Sequence, residues 1–136
     1  GLLAVSRRRQ TRELIKFVQS TAGMEAPVII AGDTNDWGNE LGEMLRKGLG
    51  VQEVFDDLET GEGFLNALRK MTGRRTRVNT ARTFPAAKPF LRLDRIYVRG
   101  FEVESAEVLH GIRWSRLSDH APIVATLNLK KRRNKK

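Results

Sequence analysis

The chain has 136 residues, 25 Lys and Arg against 16 acidic residues, 40% hydrophobic residues and no cysteine. Such a length suits one domain with a modest core, and the composition is that of a soluble, folded chain. Disulfides, thiolate metal sites and thiol nucleophiles are excluded, and no apolar run has the ~18 residues of a membrane span or the pattern of a signal peptide.

Residues 7–22 read as a helix, with Leu14, Phe17, Val18 and Thr21 on one face at spacings of three and four. Ser6 stands where an N-cap would, and Gly23 where a C-cap would. The short apolar run Val28-Ile29-Ile30-Ala31 follows Pro27, is rich in β-branched residues, and is predicted to be a buried strand. It runs into Gly32-Asp33-Thr34-Asn35-Asp36-Trp37-Gly38, a loop dense in turn formers. Residues 39–47 are predicted to be a short helix stopped by Gly48, and residues 64–71 another, stopped by Gly73. From Thr80 onward the pattern turns to strands: an edge strand at Thr83-Phe84-Pro85, then 91–99, then 103–109 after a turn at Gly100. The last strand spans 122–129, where Ile123, Ala125, Leu127 and Leu129 alternate with Val124, Thr126 and Asn128. Helix and strand are mixed, so the fold class is α/β.

The net charge of +9 is uneven. Residues 130–136 carry six basic side chains and are read as a solvated, disordered tail; without them the balance is 19 to 16, or +3. Residues 25–62 hold ten acids against Arg46 and Lys47, which suits a divalent cation. Residues 69–99 hold ten bases and the single acid Asp94, which suits a phosphate-bearing ligand.

Three clusters set polar side chains at apparent strand ends. In the first, Asp33 and Asn35 lie two apart, so an extended chain would turn both to one side, where they could orient a water. The same tetrapeptide is also a good turn. In the second, Asp94 is a carboxylate within an apolar strand and needs a partner: Arg92, Arg95 or an imidazole. Arg95 points to the opposite face, which favours His120, 26 positions away. The third is Ser118-Asp119-His120, just before the last strand. The other histidine, His110, is read as structural or exposed.

In this order the clusters resemble the second half of the endonuclease/exonuclease/phosphatase superfamily, on residues 28–37, on Thr83-Phe84-Pro85 with 91–98, and on 116–124. The opening Arg7-Arg8-Arg9-Gln10 with Leu14 is similar to the helix before the Gly-Asp-x-Asn strand in bacterial members. The resemblance implies half of a two-sheet α/β sandwich over residues 1–129, with a mixed, mostly antiparallel sheet and flanking helices. It implies a magnesium-dependent phosphoesterase, with manganese as the alternative ion. Asp33 would orient or deprotonate the attacking water, and Asn35 would help hold water and phosphate. Asp94 would accept a hydrogen bond from one ring nitrogen of His120, leaving the other aimed at the phosphate, and Asp119 would sit beside the metal. Thr34 departs from the bulky apolar residue usual in the family.

Members of that family are about twice this length, and the half that carries the principal Glu ligand and an Asn is not among these residues. The chain is therefore expected to be a fragment that needs the N-terminal half of its domain as partner and is inactive alone. Arg82 and the basic band around it are the expected substrate contacts, favouring nucleic acid over phospholipid or phosphoinositide. The cytoplasm is the expected compartment. The alternative is a non-catalytic basic module that binds nucleic acid or phospholipid with the same fold. An upstream Glu and Asn distinguish the two.

Overall fold

A computed structural model describes residues 1–35, 39–56 and 93–131. The expected strand at 83–85 and helix at 64–71, along with Asp36, Trp37, Arg82, Arg92 and most of the basic tail, lie outside these residues.

Helix α1, Leu2–Ala22, begins five residues before its expected start, so Ser6 lies within the helix and Gly1 takes the N-cap position. Its end is as expected: Gly23 adopts φ 65° and donates its N–H to the Gln19 carbonyl. The inward stripe is rotated from the expected one. Thr11 is buried, and Ile15 and Val18 pack on the core, whereas Phe17 is 65% exposed. Leu14 and Phe17 fit helical spacing equally well, and only the partner on the other side decides which stripe turns inward.

Helix α2, Glu40–Leu49, runs through Gly48 instead of stopping there. A Cβ at Gly48 would come within 2.8 Å of Ile15 Cγ2, so this glycine is where α1 and α2 approach most closely. The stop is Gly50, in the left-handed region, whose N–H is bonded to the Arg46 carbonyl.

Five strands are described: β1 Val28–Asp33, β2 Gln52–Glu53, β3 Asp94–Arg99, β4 Phe101–Val108 and β5 Ile123–Leu129. They form an antiparallel three-stranded sheet in the order β1-β3-β2 and an antiparallel β4-β5 pair. Gly100, at φ 80°, turns the chain from one sheet to the other as expected. The two-residue β2 and a four-residue helix α3, Ile112–Ser115, are too short for any periodicity to announce. Strand β1 is not buried: it is an edge of its sheet among the described residues, and Ile29 is 53% exposed. On β5 the expected alternation holds for Ile123, Ala125 and Leu127, which pack inward, but Leu129 is exposed at the strand end.

Strand β3 divides two clusters. On one side Tyr97 packs with Leu45, Leu49 and Val51 under the helices; on the other Val98 packs with Val54, Phe55, Val108 and Ala121 against β4 and β5. Period-two alternation then sends Arg95 to the helix side and Asp94 to the β4-β5 side. The result is a mixed α/β fold of antiparallel sheets and helices.

Candidate active site

Strands β1 and β3 pair so that Asp33 lies directly opposite Asp94. Residues opposed in an antiparallel pair share a face, and like charges there repel by about 0.2–1 kcal/mol. The register is nonetheless fixed by Val28↔Arg99 at the far end and by the apolar pairs between. Thr34 lengthens the ladder by one step, because its N–H and its hydroxyl both donate to the Leu93 carbonyl, at 2.8 and 3.1 Å. Two carboxylates held in register in this way call for a cation or a proton between them.

His120 supplies it. Nδ1 lies 2.6 Å from Asp94 Oδ2, the short distance of a charge-assisted bond. Nε2 lies 4.0 Å from Asp33 Oδ2, beyond a direct hydrogen bond but a gap that one water could span. The ring is placed from both sides of the backbone: the His120 N–H donates to Ser118 Oγ at 3.2 Å, and the next residue, Ala121, is buried among the β4-β5 core residues. The sequence expectation that Asp94 and His120 are hydrogen-bonded is thus met, and Arg95 is turned away, donating to Asn39 Oδ1 at 2.7 Å on the helix side.

The His120 pKa is raised, first by the hydrogen bond to Asp94. Partial burial opposes this, while the charges of Asp94, Asp33 and Asp119 add to it. Nδ1–H donates to Asp94, which leaves Nε2 directed toward Asp33.

Asn35 is placed differently from expectation. Strand β1 ends at Asp33, and Asn35 adopts φ 47°, so the extended alternation that would set its side chain beside that of Asp33 does not reach it. Its backbone does the work instead: the Asn35 N–H donates to Asp33 Oδ1 at 3.1 Å, closing a turn that leaves Oδ2 toward His120. Asp119 is exposed, and its carboxylate is not one of the three groups that come together. Those are Asp33, Asp94 and His120, whose ligand-capable atoms lie within 4.8 Å of one another, a set that could hold a metal ion. His110 is exposed, as expected.

Sequence reasoning did not single out Asn39, at φ 61°, or the contact of Arg7 Nη1 with the Asn35 carbonyl. An arginine on a helix gives no local sign that it reaches a loop 28 residues on. A cleft of about 510 Å³ is lined by residues of α1, β1, α2 and β3, among them Arg7, Phe17, Ile30, Asp33, Arg95 and Tyr97. Among the described residues, no helix is long and apolar enough to cross a membrane.

The chain is 34% identical over 129 residues to the uncharacterized protein YbhP of Escherichia coli K12, and equally to YbhP of Shigella flexneri. That alignment covers 95% of this chain and 44% of each relative, so the chain spans less than half their length. Its fold is similar to the crystal structure of an endonuclease/exonuclease/phosphatase from Bacteroides vulgatus, with a TM-score of 0.63 at 20% identity, covering 91% of this chain and 44% of that one. Residues 2–120 match the model of the Endonuclease/Exonuclease/phosphatase family, and the chain belongs to that family.

Proposed function

We propose that this chain is the part of a metal-dependent phosphoesterase that carries the Asp33–His120–Asp94 constellation, with the rest of its domain supplied by residues outside it. The observation that carries this reading is the facing pair Asp33 and Asp94 with His120 held between them, 2.6 Å from one and 4.0 Å from the other.

Asp94 accepts from Nδ1–H and so fixes the ring orientation and the nitrogen that faces outward. His120, when protonated, donates from Nε2–H to a phosphoryl oxygen and stabilises the charge gathering there. Asp33 Oδ2, aimed into the same gap, takes the proton of the attacking water as the water oxygen bonds to phosphorus and the ester oxygen leaves. Asn35 fixes the Asp33 carboxylate through its backbone, and its side chain is offered to water or phosphate.

The donor set fits a hard divalent cation. Asp33 and Asp119 present exposed carboxylates, and Asp119 takes no hydrogen bond from the described residues. Magnesium, or manganese in its place, would be held by Asp119 and Asp33 with donors from the remainder of the domain. Bound there, it would neutralise negative charge on the phosphoryl oxygens. The substrate class is a phosphate ester, and the basic band that contains Arg82 favours nucleic acid.

The test is hydrolysis by the intact protein of a simple aryl phosphodiester, an aryl phosphomonoester, a single-stranded oligonucleotide and a phosphoinositide, each with magnesium and with a chelator. Chelator-sensitive release of product from at least one supports the reading. No hydrolysis of any, with either ion, would end it.

A further inference from the structure

Among the described residues, two that are not glycine have positive φ, Asn35 at 47° and Asn39 at 61°. Outside glycine, asparagine tolerates a left-handed backbone best, and the contacts around it set that geometry. Each of these two is held by an arginine. Arg95 Nη2 donates to Asn39 Oδ1 at 2.7 Å, and Arg7 Nη1 donates to the carbonyl of Asn35.

The Arg7 contact matters more for the chemistry. Arg7 is half-buried on α1, its Nε donates to the Leu3 carbonyl of its own helix at 3.3 Å, and its backbone carbonyl accepts from Thr11 Oγ1 at 2.9 Å. The adjacent Arg8 pairs with Glu40 at 2.9 Å, tying the same turn of α1 to the start of α2. An exposed loop carbonyl such as that of Asn35 has water available and needs no protein donor. Here it is bound instead by a guanidinium oriented on a 21-residue helix. From there the contacts run in one line: Arg7 to the Asn35 carbonyl, the Asn35 N–H to Asp33 Oδ1, and Asp33 Oδ2 toward His120 Nε2.

We propose that Arg7 is a positioning residue that mounts the Asp33–Asn35 turn on α1 and thereby fixes the Asp33 carboxylate that serves the reaction. This deepens the phosphoesterase reading and rests on it. Arg7 touches neither water nor phosphate in this role. It restricts the rotation of Asp33, and groups that must be held within a fraction of an ångström depend on such supports.

The experiment compares Arg7→Met and Arg7→Gln with Arg7→Lys, which keeps a cationic donor, in the intact protein. Thermal unfolding identifies the variants that fold, and either of the first two suffices. The first readout is amide hydrogen exchange at Asn35, whose N–H is bonded to Asp33. It is expected to quicken about tenfold in Arg7→Met or Arg7→Gln, with α1 amides unchanged, and to return toward wild type in Arg7→Lys. The second is steady-state hydrolysis, where kcat is expected to fall about tenfold with KM unchanged and to be restored by lysine. Unchanged Asn35 exchange, or loosening confined to α1, would overturn the proposal. Hydrolysis absent from the wild-type protein would remove the phosphoesterase reading, while Asn35 exchange would still decide whether Arg7 holds the turn.

Discussion

The two ends of the β1-β3 ladder treat charge in opposite ways. At one end Arg99 is held by three carbonyls: its guanidinium donates to those of Ala26, Leu49 and Gly23 at 3.0, 2.7 and 2.8 Å. It thereby fastens the α1–β1 turn and the end of α2 to β3. At the other end, Asp33 and Asp94 face each other, with one imidazole between them that closes on Asp94 and stops short of Asp33. A charged residue in a strand is therefore not in itself a sign of function. Incomplete compensation is, because it leaves room and electrostatic need for a ligand.

The largest effect that separates the two ends is on turnover. Asp33→Ala is expected to lower hydrolysis by the intact protein about 10²–10⁴-fold with little change in unfolding midpoint, since it removes half of a repulsive pair. Adding His120→Ala to it should lower the rate little further, because the groups act as a unit. Full multiplicative loss in steady-state kinetics would show that they work independently.

Arg99→Leu tests the end held by carbonyls. It leaves three carbonyls without their donor and is expected to cost about 3 kcal/mol in denaturant unfolding, with kcat unchanged while the protein stays folded. A loss of kcat without a loss of stability would erase the distinction between the ends.

These two ends were unequally legible in the sequence. Asp94 stood out as a lone acid among bases, and His120 as its best-placed partner, with Arg95 turned away by strand alternation and Arg92 still open. Both inferences need only period two and the requirement that a partly buried carboxylate be paired. For Asn35 the tetrapeptide admitted both an extended pair and a turn, and the turn is what forms: Asn35 is left-handed and its backbone N–H bonds the Asp33 carboxylate. Gly48 was misread as a stop because a close helix–helix contact and a helix end both call for glycine, and Ile15 decides between them across 33 positions. The roles of Arg7, Arg95 and Arg99 depend on contacts 28, 56 and up to 76 residues apart, which no local pattern encodes.

A smaller effect concerns pH. The raised His120 pKa means that the folded protein holds this proton more tightly than the unfolded chain. Its contribution to stability is fully present below the unfolded value near 6.5 and is lost as pH rises through the higher folded value. The stability difference between wild type and His120→Ala should therefore shrink with rising pH in denaturant titrations. Asp94→Asn should abolish most of that dependence and Asp33→Asn less of it. A difference that grows with pH would contradict the assigned partners.

The smallest effect is at Thr34. Thr34→Val keeps the backbone bond to Leu93 and loses the hydroxyl one, at about 0.5–1 kcal/mol in unfolding free energy, with kcat and KM unchanged. A drop in kcat comparable to that of Asp33→Ala would mean that this residue belongs to the reacting end.

The most direct test of the central claim is the turnover of a phosphodiester by the intact protein, wild type against His120→Ala, with magnesium present and withdrawn. The geometry predicts metal-dependent turnover in the wild type and a loss of at least about 100-fold in the variant at an unchanged melting temperature. Near-normal turnover by a folded His120→Ala protein would contradict the assignment of Asp33, Asp94 and His120 as the active site.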